Sequence, residues 1–327
     1  MISTELKMRY GWLAAVLELL LAAAGAHAQP GYPAKPVRVV IPYAPGGGVD
    51  IVGRFIAAKL SDEFRQQFVA DNRTGGGGIV GNDIAAKAPA DGYTLLMMNS
   101  ALAYLPALYS RVPYDTLRDF APITLIGVTP SVLVVNPAVP AKSVRELIAL
   151  MKAKPGQLNY GAGVGGTLHL AVALFEDMAG VKGTLIPYKG GGPALIDTVG
   201  GQVQMMIVPV VSAIGHVKSN RLRALGVSGA RRSPMLPDVP TIADTGVPGY
   251  EYVTWYGMLA PAATPKPIIA RLNQAVVKGL ATIELRDKFA QQGVEVEPST
   301  PEQFSALLHR ELARWAKIIR AAKIQGE

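Results

Sequence analysis

The sequence predicts an α/β protein of two lobes with a cleft between them. Short β-branched runs alternate with amphipathic helical stretches, glycine-rich loops join strand to helix, and two such alternating blocks flank a pair of long apolar strands near the middle of the chain. The length of 327 residues suits two domains of ordinary size.

The first block opens at Val37–Ile41, a buried-type strand that stops at Pro42. The turn Ala44-Pro45-Gly46-Gly47-Gly48 feeds a helix from Val49 to Leu60, with Ile51, Phe55, Ile56 and Leu60 on one face. A strand at Gln67–Ala70, a glycine run at Gly75–Gly78, a helix at Ile79–Lys87 and a strand at Tyr93–Met98 repeat the theme. Two strands, Ile123–Val128 and Ser131–Val135, then sit at the centre. A helix over Ser143–Lys154 starts on a capping-box pattern, Ser143 with Glu146 three residues on. The alternation restarts: Leu158–Tyr160, Thr167–Ala179, Thr184–Pro187, Pro193–Val199 and Val203–Val208. Such order predicts parallel sheets covered by helices. Amphipathic helices at Lys266–Ala281 and Pro301–Ala322 complete the chain.

The N-terminus reads as an export signal. Lys7 and Arg9 precede an apolar run from Gly11 to Ala24, broken by Glu18, and Ala26-His27-Ala28 has small residues at both cleavage-defining positions. At about 14 residues the apolar run is too short to span a bilayer, so residues 1–28 are expected to be removed and the mature chain to be soluble.

Composition excludes several chemistries. There is no cysteine, hence no disulfide, thiolate metal site or cysteine nucleophile. The net charge of +8 is spread out, with Arg231-Arg232 the longest basic run, so nucleic acid is not expected as a partner. After the signal only His169, His216 and His309 remain, isolated from one another, and no metal site is expected. Neither a G-x-S-x-G elbow nor a P-loop is present. The dinucleotide pattern GxGxxG occurs at Gly76–Gly81 and Gly161–Gly166, but Thr184–Lys189 lacks the ribose-binding acid that should follow the second. No cofactor and no catalysis are expected.

What the glycines offer is anion binding. Each loop feeds a helix N-terminus, where unpaired N–H groups and the helix dipole favour negative charge. Loops Pro45–Gly48 and Gly161–Gly166 fall in different blocks; they are either two jaws for a carboxylate or merely tight turns.

Read together, KPVRVVIPYAPGGGVDIVGR from Lys35, DNRTGGGGIVGNDIAAKAPADGYTLL from Asp71, IPYKGGGPALIDTVGGQVQMM from Ile186, LRALGVSGARRSPMLPDVPTIADTG from Leu222 and RWAKIIRAAKI from Arg314 resemble one family. It is the periplasmic solute-binding component of tripartite tricarboxylate transporters, the Bug-type receptors. The resemblance implies a type II periplasmic-binding-protein fold, a Venus flytrap with hinge strands and a central cleft. It implies a periplasmic receptor, expected to be a monomer, that hands a small carboxylate to a membrane permease; a sensor docking on a signalling partner and an NAD-dependent enzyme are the alternatives. The lobes are expected at 29–129 plus 249–327 and at 130–248. Carried over by position, Tyr43, Ala44, Pro45, Gly46, Gly47 and Asp50 form one wall, with Asn99 and Ser100 beside it; Gly163, Val164, Gly165, Thr167, His169, Tyr188, Lys189 and Val208 form the other. His169 either meets the ligand or braces its loop, and Asp50 either meets the ligand or serves the helix dipole. Where the family commonly has Phe-Asp, this chain reads Ile207-Val208, which favours an acid without an amine.

Overall fold

The computed structural model describes residues 31–188 and 190–325. The proposed signal segment and Lys189 therefore lie outside the described residues. Residues 31–35 belong to a separate N-terminal unit, and the folded body is Pro36–Glu327.

In chain order the body runs β1 (Val37–Ile41), α1 (Gly48–Phe64), β2 (Phe68–Asn72), a 3-10 turn at Gly76–Gly78, α2 (Ile79–Ala86), β3 (Thr94–Asn99) and α3 (Ala101–Leu108). There follow β4 (Phe120–Val135), α4 (Val144–Ala153), β5 (Asn159–Ala162), α5 (Thr167–Ala179), β6 (Thr184–Pro187), α6 (Gly191–Gly200), β7 (Met205–Pro209), α7 (Val210–Lys218) and β8 (Arg223–Val227). The chain closes with α8 (Ile242–Thr245), β9 (Val253–Pro261), α9 (Lys266–Leu280), α10 (Ile283–Gln291), β10 (Glu295–Val296) and α11 (Pro301–Ala322).

The strands form two sheets that share β4. One has the order β2-β1-β3-β9-β4-β10, the other β8-β4-β7-β5-β6. The parallel pairing expected from the alternation is found in β2-β1-β3 and β7-β5-β6, whereas β9, β4, β8 and β10 join antiparallel. The parallel trios are the strand–helix–strand units, and β4 carries the chain from the first sheet into the second.

The two central strands are one. β4 continues for 16 residues, pairing with β9 as far as Pro130↔Val253 and with β7 and β8 from the next residues on. Pro130 supplies no N–H, which reads as a break in sequence, yet it sits where the strand leaves one sheet for the other. Ser228 ties this crossing to the second one, which enters β9. Its hydroxyl accepts from the Ser131 amide at 2.8 Å and donates to the Tyr252 carbonyl at 2.5 Å. Its backbone bonds both neighbours as well, Ser228 N–H to Ser131 O and Tyr252 N–H to Ser228 O, each at 2.8 Å.

Helix ends follow local chemistry. The Ser143 hydroxyl caps α4 by accepting from the Glu146 amide, but Glu146 returns its bond to the Lys142 amide, so the box expected there is displaced by one residue. A reciprocal box does form at Thr300 and Gln303, opening α11. α11 buries Phe304, Leu308, Trp315, Ile318 and Ile319. Gly257 of β9 makes room for Phe304, since a Cβ there would lie 2.2 Å from the ring, and Trp255 meets that ring edge-on at 5.4 Å. Burying such a ring contributes about 1.5–3 kcal/mol. Trp315 also touches Tyr104 of α3 and Tyr252, so an aromatic row links α3, α11 and the second crossing.

Candidate functional site

The first sheet's carboxyl edge carries one set of residues. β1 ends at Ile41, and the exposed loop Ala44–Gly47 leads into α1, whose N-cap Gly47 has no side chain with which to cap it. The helix's first N–H groups are therefore available to a ligand. Gly46 holds φ +84°, a conformation that favours glycine. Gly48 is required for space: a Cβ there would lie 2.7 Å from the Tyr256 hydroxyl. Tyr256 stands in β9 directly across from Asn99 of β3.

Asp50 is buried and saturated. It accepts from the Gly46 amide at 2.9 Å, from Arg54 Nε on both oxygens at 2.9 Å, and from Asn72 Nδ2 at 2.8 Å. Burial pushes its pKa up, but the bonds from Arg54, Gly46 and Asn72 outweigh that and hold the carboxyl below the usual carboxylate range. Asn72 also donates to the Tyr43 carbonyl at 2.8 Å. The Asp50 carboxylate thus grips the loop from behind. The Tyr43 hydroxyl lies 3.0 Å from the Gly77 carbonyl and 3.3 Å from Asn99 Oδ1, which in turn accepts from the Ala101 amide at 3.0 Å. Ser100, next to it, is buried, and its hydroxyl has no hydrogen-bond partner among the described residues.

The second sheet presents its carboxyl edge through three helix starts. β5 leads through Gly163–Gly166 into α5, β6 leads through Tyr188 and Gly190 into α6, and β7 runs straight into α7 at Pro209. Their N-cap residues, Gly166, Gly190 and Pro209, have no polar side chain to satisfy the first N–H groups. These starts surround a cavity of about 810 Å³ whose lining includes Gly163, Val164, Thr167, Tyr188 and Val208.

His169 does not line this cavity; it holds the loop. Its Nδ1 accepts from the Gly165 amide at 3.1 Å, which puts the ring proton on Nε2. Burial, then the charge of Lys182, push its pKa below the ordinary value, so the ring is neutral near pH 7. Gly165 has φ +67°, and a Cβ there would lie 3.0 Å from Leu108 at the end of α3. This loop therefore reaches the elements of the other sheet. The Tyr188 hydroxyl donates to Asp197 at 2.6 Å, and that bond, with burial, raises its pKa.

Of the residues singled out in the sequence, Gly163, Val164, Thr167, Tyr188 and Val208 come together around the cavity, with Gly165 and His169 behind it. Tyr43, Ala44, Pro45, Gly46, Gly47, Asp50, Asn99 and Ser100 gather separately, on the first sheet's edge. Among the described residues no cluster of histidine and carboxylate could hold a metal ion, and no helix is long and apolar enough to cross a membrane.

Comparison with known proteins identifies the family. Residues 52–324 match the family described as tripartite tricarboxylate transporter family receptor. The chain belongs to that family. BugT of Bordetella pertussis is 37% identical over 314 residues, 94% of this chain and 96% of its own. Among solved structures, R. palustris Rpa4515 with adipate is 36% identical with a TM-score of 0.76, covering 90% of this chain and 99% of that one. MatC from Rhodopseudomonas palustris with bound malate is 31% identical with a TM-score of 0.73, covering 88% and 100%. The two-lobe periplasmic-binding-protein fold and the Bug-type resemblance are thereby established for this receptor.

Several residues at these two sheet edges were not singled out from the sequence. Tyr256 is placed by strand pairing across β3 and β9, and Leu168, Leu195 and Ser212 line the cavity from helices α5, α6 and α7. Ser212 could have been found, since it stands at the third position of a helix that follows a strand directly. Tyr256 left no local signal.

Proposed function

We propose that the chain is an exported, periplasmic receptor that captures a small carboxylate between two lobes, performs no chemistry on it, and delivers it as a monomer to a membrane permease. The lobes in this reading are 29–129 with 249–327, and 130–248. The observation that carries it is the pair of glycine loops, Ala44–Gly47 and Gly163–Gly166, each opening a helix that no side chain caps, on the carboxyl edges of two sheets. A carboxylate between them meets N–H donors from both sides, and the positive helix ends favour its charge. Thr167 and Ser100 hydroxyls add donors, while Asp50 and His169 hold the two loops in shape. Adipate and malate in the related structures support a carboxylate as the ligand class. Contacts from both jaws exist only when the lobes are together, so ligand shifts an open–closed equilibrium toward closed.

A thermal-shift panel of mono-, di- and tricarboxylates, with NAD as a control, tests this reading. An acid at 100 times its Kd adds about 2.7 kcal/mol of stability, a rise of several degrees in Tm. Mass spectrometry should recover that acid unchanged. A shift with NAD alone, or conversion of the acid, would replace the receptor reading with an enzyme.

A further inference from the structure

The chemistry of the second-lobe cavity goes beyond its carboxylate donors. Its back wall is the lobe's own hydrophobic core. Leu195 and Val208 both line the cavity and belong to the cluster of Val132, Val134, Ala194 and Met206, with Leu168 packed against it. Leu195 is 8% exposed and Val208 2%. Pro187 and Pro209 extend the same apolar surface.

Of the polar side chains in the lining, one is already committed. The Tyr188 hydroxyl is committed to Asp197, which leaves the ring to face the cavity wall, where Gly161 packs so closely that a Cβ would lie 3.1 Å from Cε2. Thr167 and Ser212 sit in the first turns of α5 and α7, beside the N–H groups that suit a carboxylate. Among the described lining residues there is no carboxylate side chain. An ammonium group on the ligand would lose its water and find no carboxylate among these residues.

Resting on the receptor reading, we infer that the ligand is a carboxylate with a hydrocarbon body and no amino group, and that Leu168, Leu195 and Val208 exclude amino acids. The hydrocarbon lies on the core wall while the carboxylate meets the helix starts.

Titration calorimetry of the wild-type protein with matched acids tests this. Glutarate should bind at least about tenfold tighter than glutamate. From acetate to hexanoate, affinity should rise by up to roughly fourfold per methylene. Glutamate binding as tightly as glutarate would overturn the inference and leave the receptor reading standing. Failure of every acid to bind would overturn both. Val208→Asp supplies a counter-charge and should narrow the glutarate–glutamate gap by about tenfold. An unchanged gap in a variant that still melts cooperatively would overturn the role given to Val208.

Discussion

Ser228 and Tyr252 are joined at the point where the chain passes between the sheets: the Ser228 hydroxyl donates to the Tyr252 carbonyl at 2.5 Å while accepting from the Ser131 amide. Ser131 lies just past the first crossing and Tyr252 just before the second. One buried hydroxyl therefore couples the two points at which the chain passes between the sheets.

Ser228→Ala leaves an amide and a carbonyl without that partner in a buried place. The expected loss is about 1–3 kcal/mol, a fall of several degrees in Tm for a domain of this size. Differential scanning calorimetry checks it. Unchanged melting would mean that the remaining backbone bonds of Ser228 suffice to hold the crossings.

Gly48→Ala places a methyl group 2.7 Å from the Tyr256 hydroxyl. The start of α1 must shift, and carboxylate affinity should fall by about tenfold or more. Removing the obstacle with Tyr256→Phe should restore much of that loss in the double variant. A double-mutant cycle reads the coupling directly; additive effects would separate Tyr256 from the loop.

His169 gives the site a pH dependence. Its folded pKa lies below the ordinary value, so the unfolded chain takes up the proton first. Its contribution to stability is complete above about pH 6.5 and declines as the pH falls from there toward the folded pKa. Protonation at Nδ1 also removes the acceptor for the Gly165 amide. His169→Asn keeps an acceptor without a titrating ring and should flatten both the stability and the affinity profiles over this range. A pH profile identical to wild type would locate the titrating group elsewhere.

Asp50→Ala removes the acceptor for the Gly46 amide, Asn72 and Arg54 together. Arg54 is about half exposed and is rehydrated readily, so its ion pair counts for little. The loss expected is about 1–3 kcal/mol, chiefly from the Gly46 and Asn72 bonds, with weaker carboxylate binding because the loop Tyr43–Gly47 loses its support. In wild type the Asp50 contribution is present above the ordinary carboxylate pKa and is lost as pH falls through its depressed folded value. Acid titration of wild type against Asp50→Ala measures it.

Features written in local sequence were legible in advance. α5 at Thr167–Ala179, β6 at Thr184–Pro187 and α11 at Pro301–Ala322 have the bounds that periodicity and punctuation imply. The glycine loops are likewise where strand runs give way to helical spacing. Features set by distant pairing were not legible. β4 reads as two strands because Pro130 breaks the local pattern, and only the partners β9, β7 and β8 make it one. Ser228 reaches Ser131 across 97 positions. The sequence leaves Asp50 between two roles, because its partner Asn72, 22 positions on, comes beside it only in the fold. α3 went unseen because it is apolar nearly all round, which leaves no helical stripe to detect.

The most direct test of a carboxylate held between two helix starts is a crystal structure of the protein grown with glutarate. The expected result is a carboxylate with oxygens within about 3.2 Å of N–H groups, drawn from both Ala44–Val49 and Gly163–Thr167, with the lobes together around it. Glutarate found away from both loops, or held by one loop with the other turned to solvent, would contradict the account.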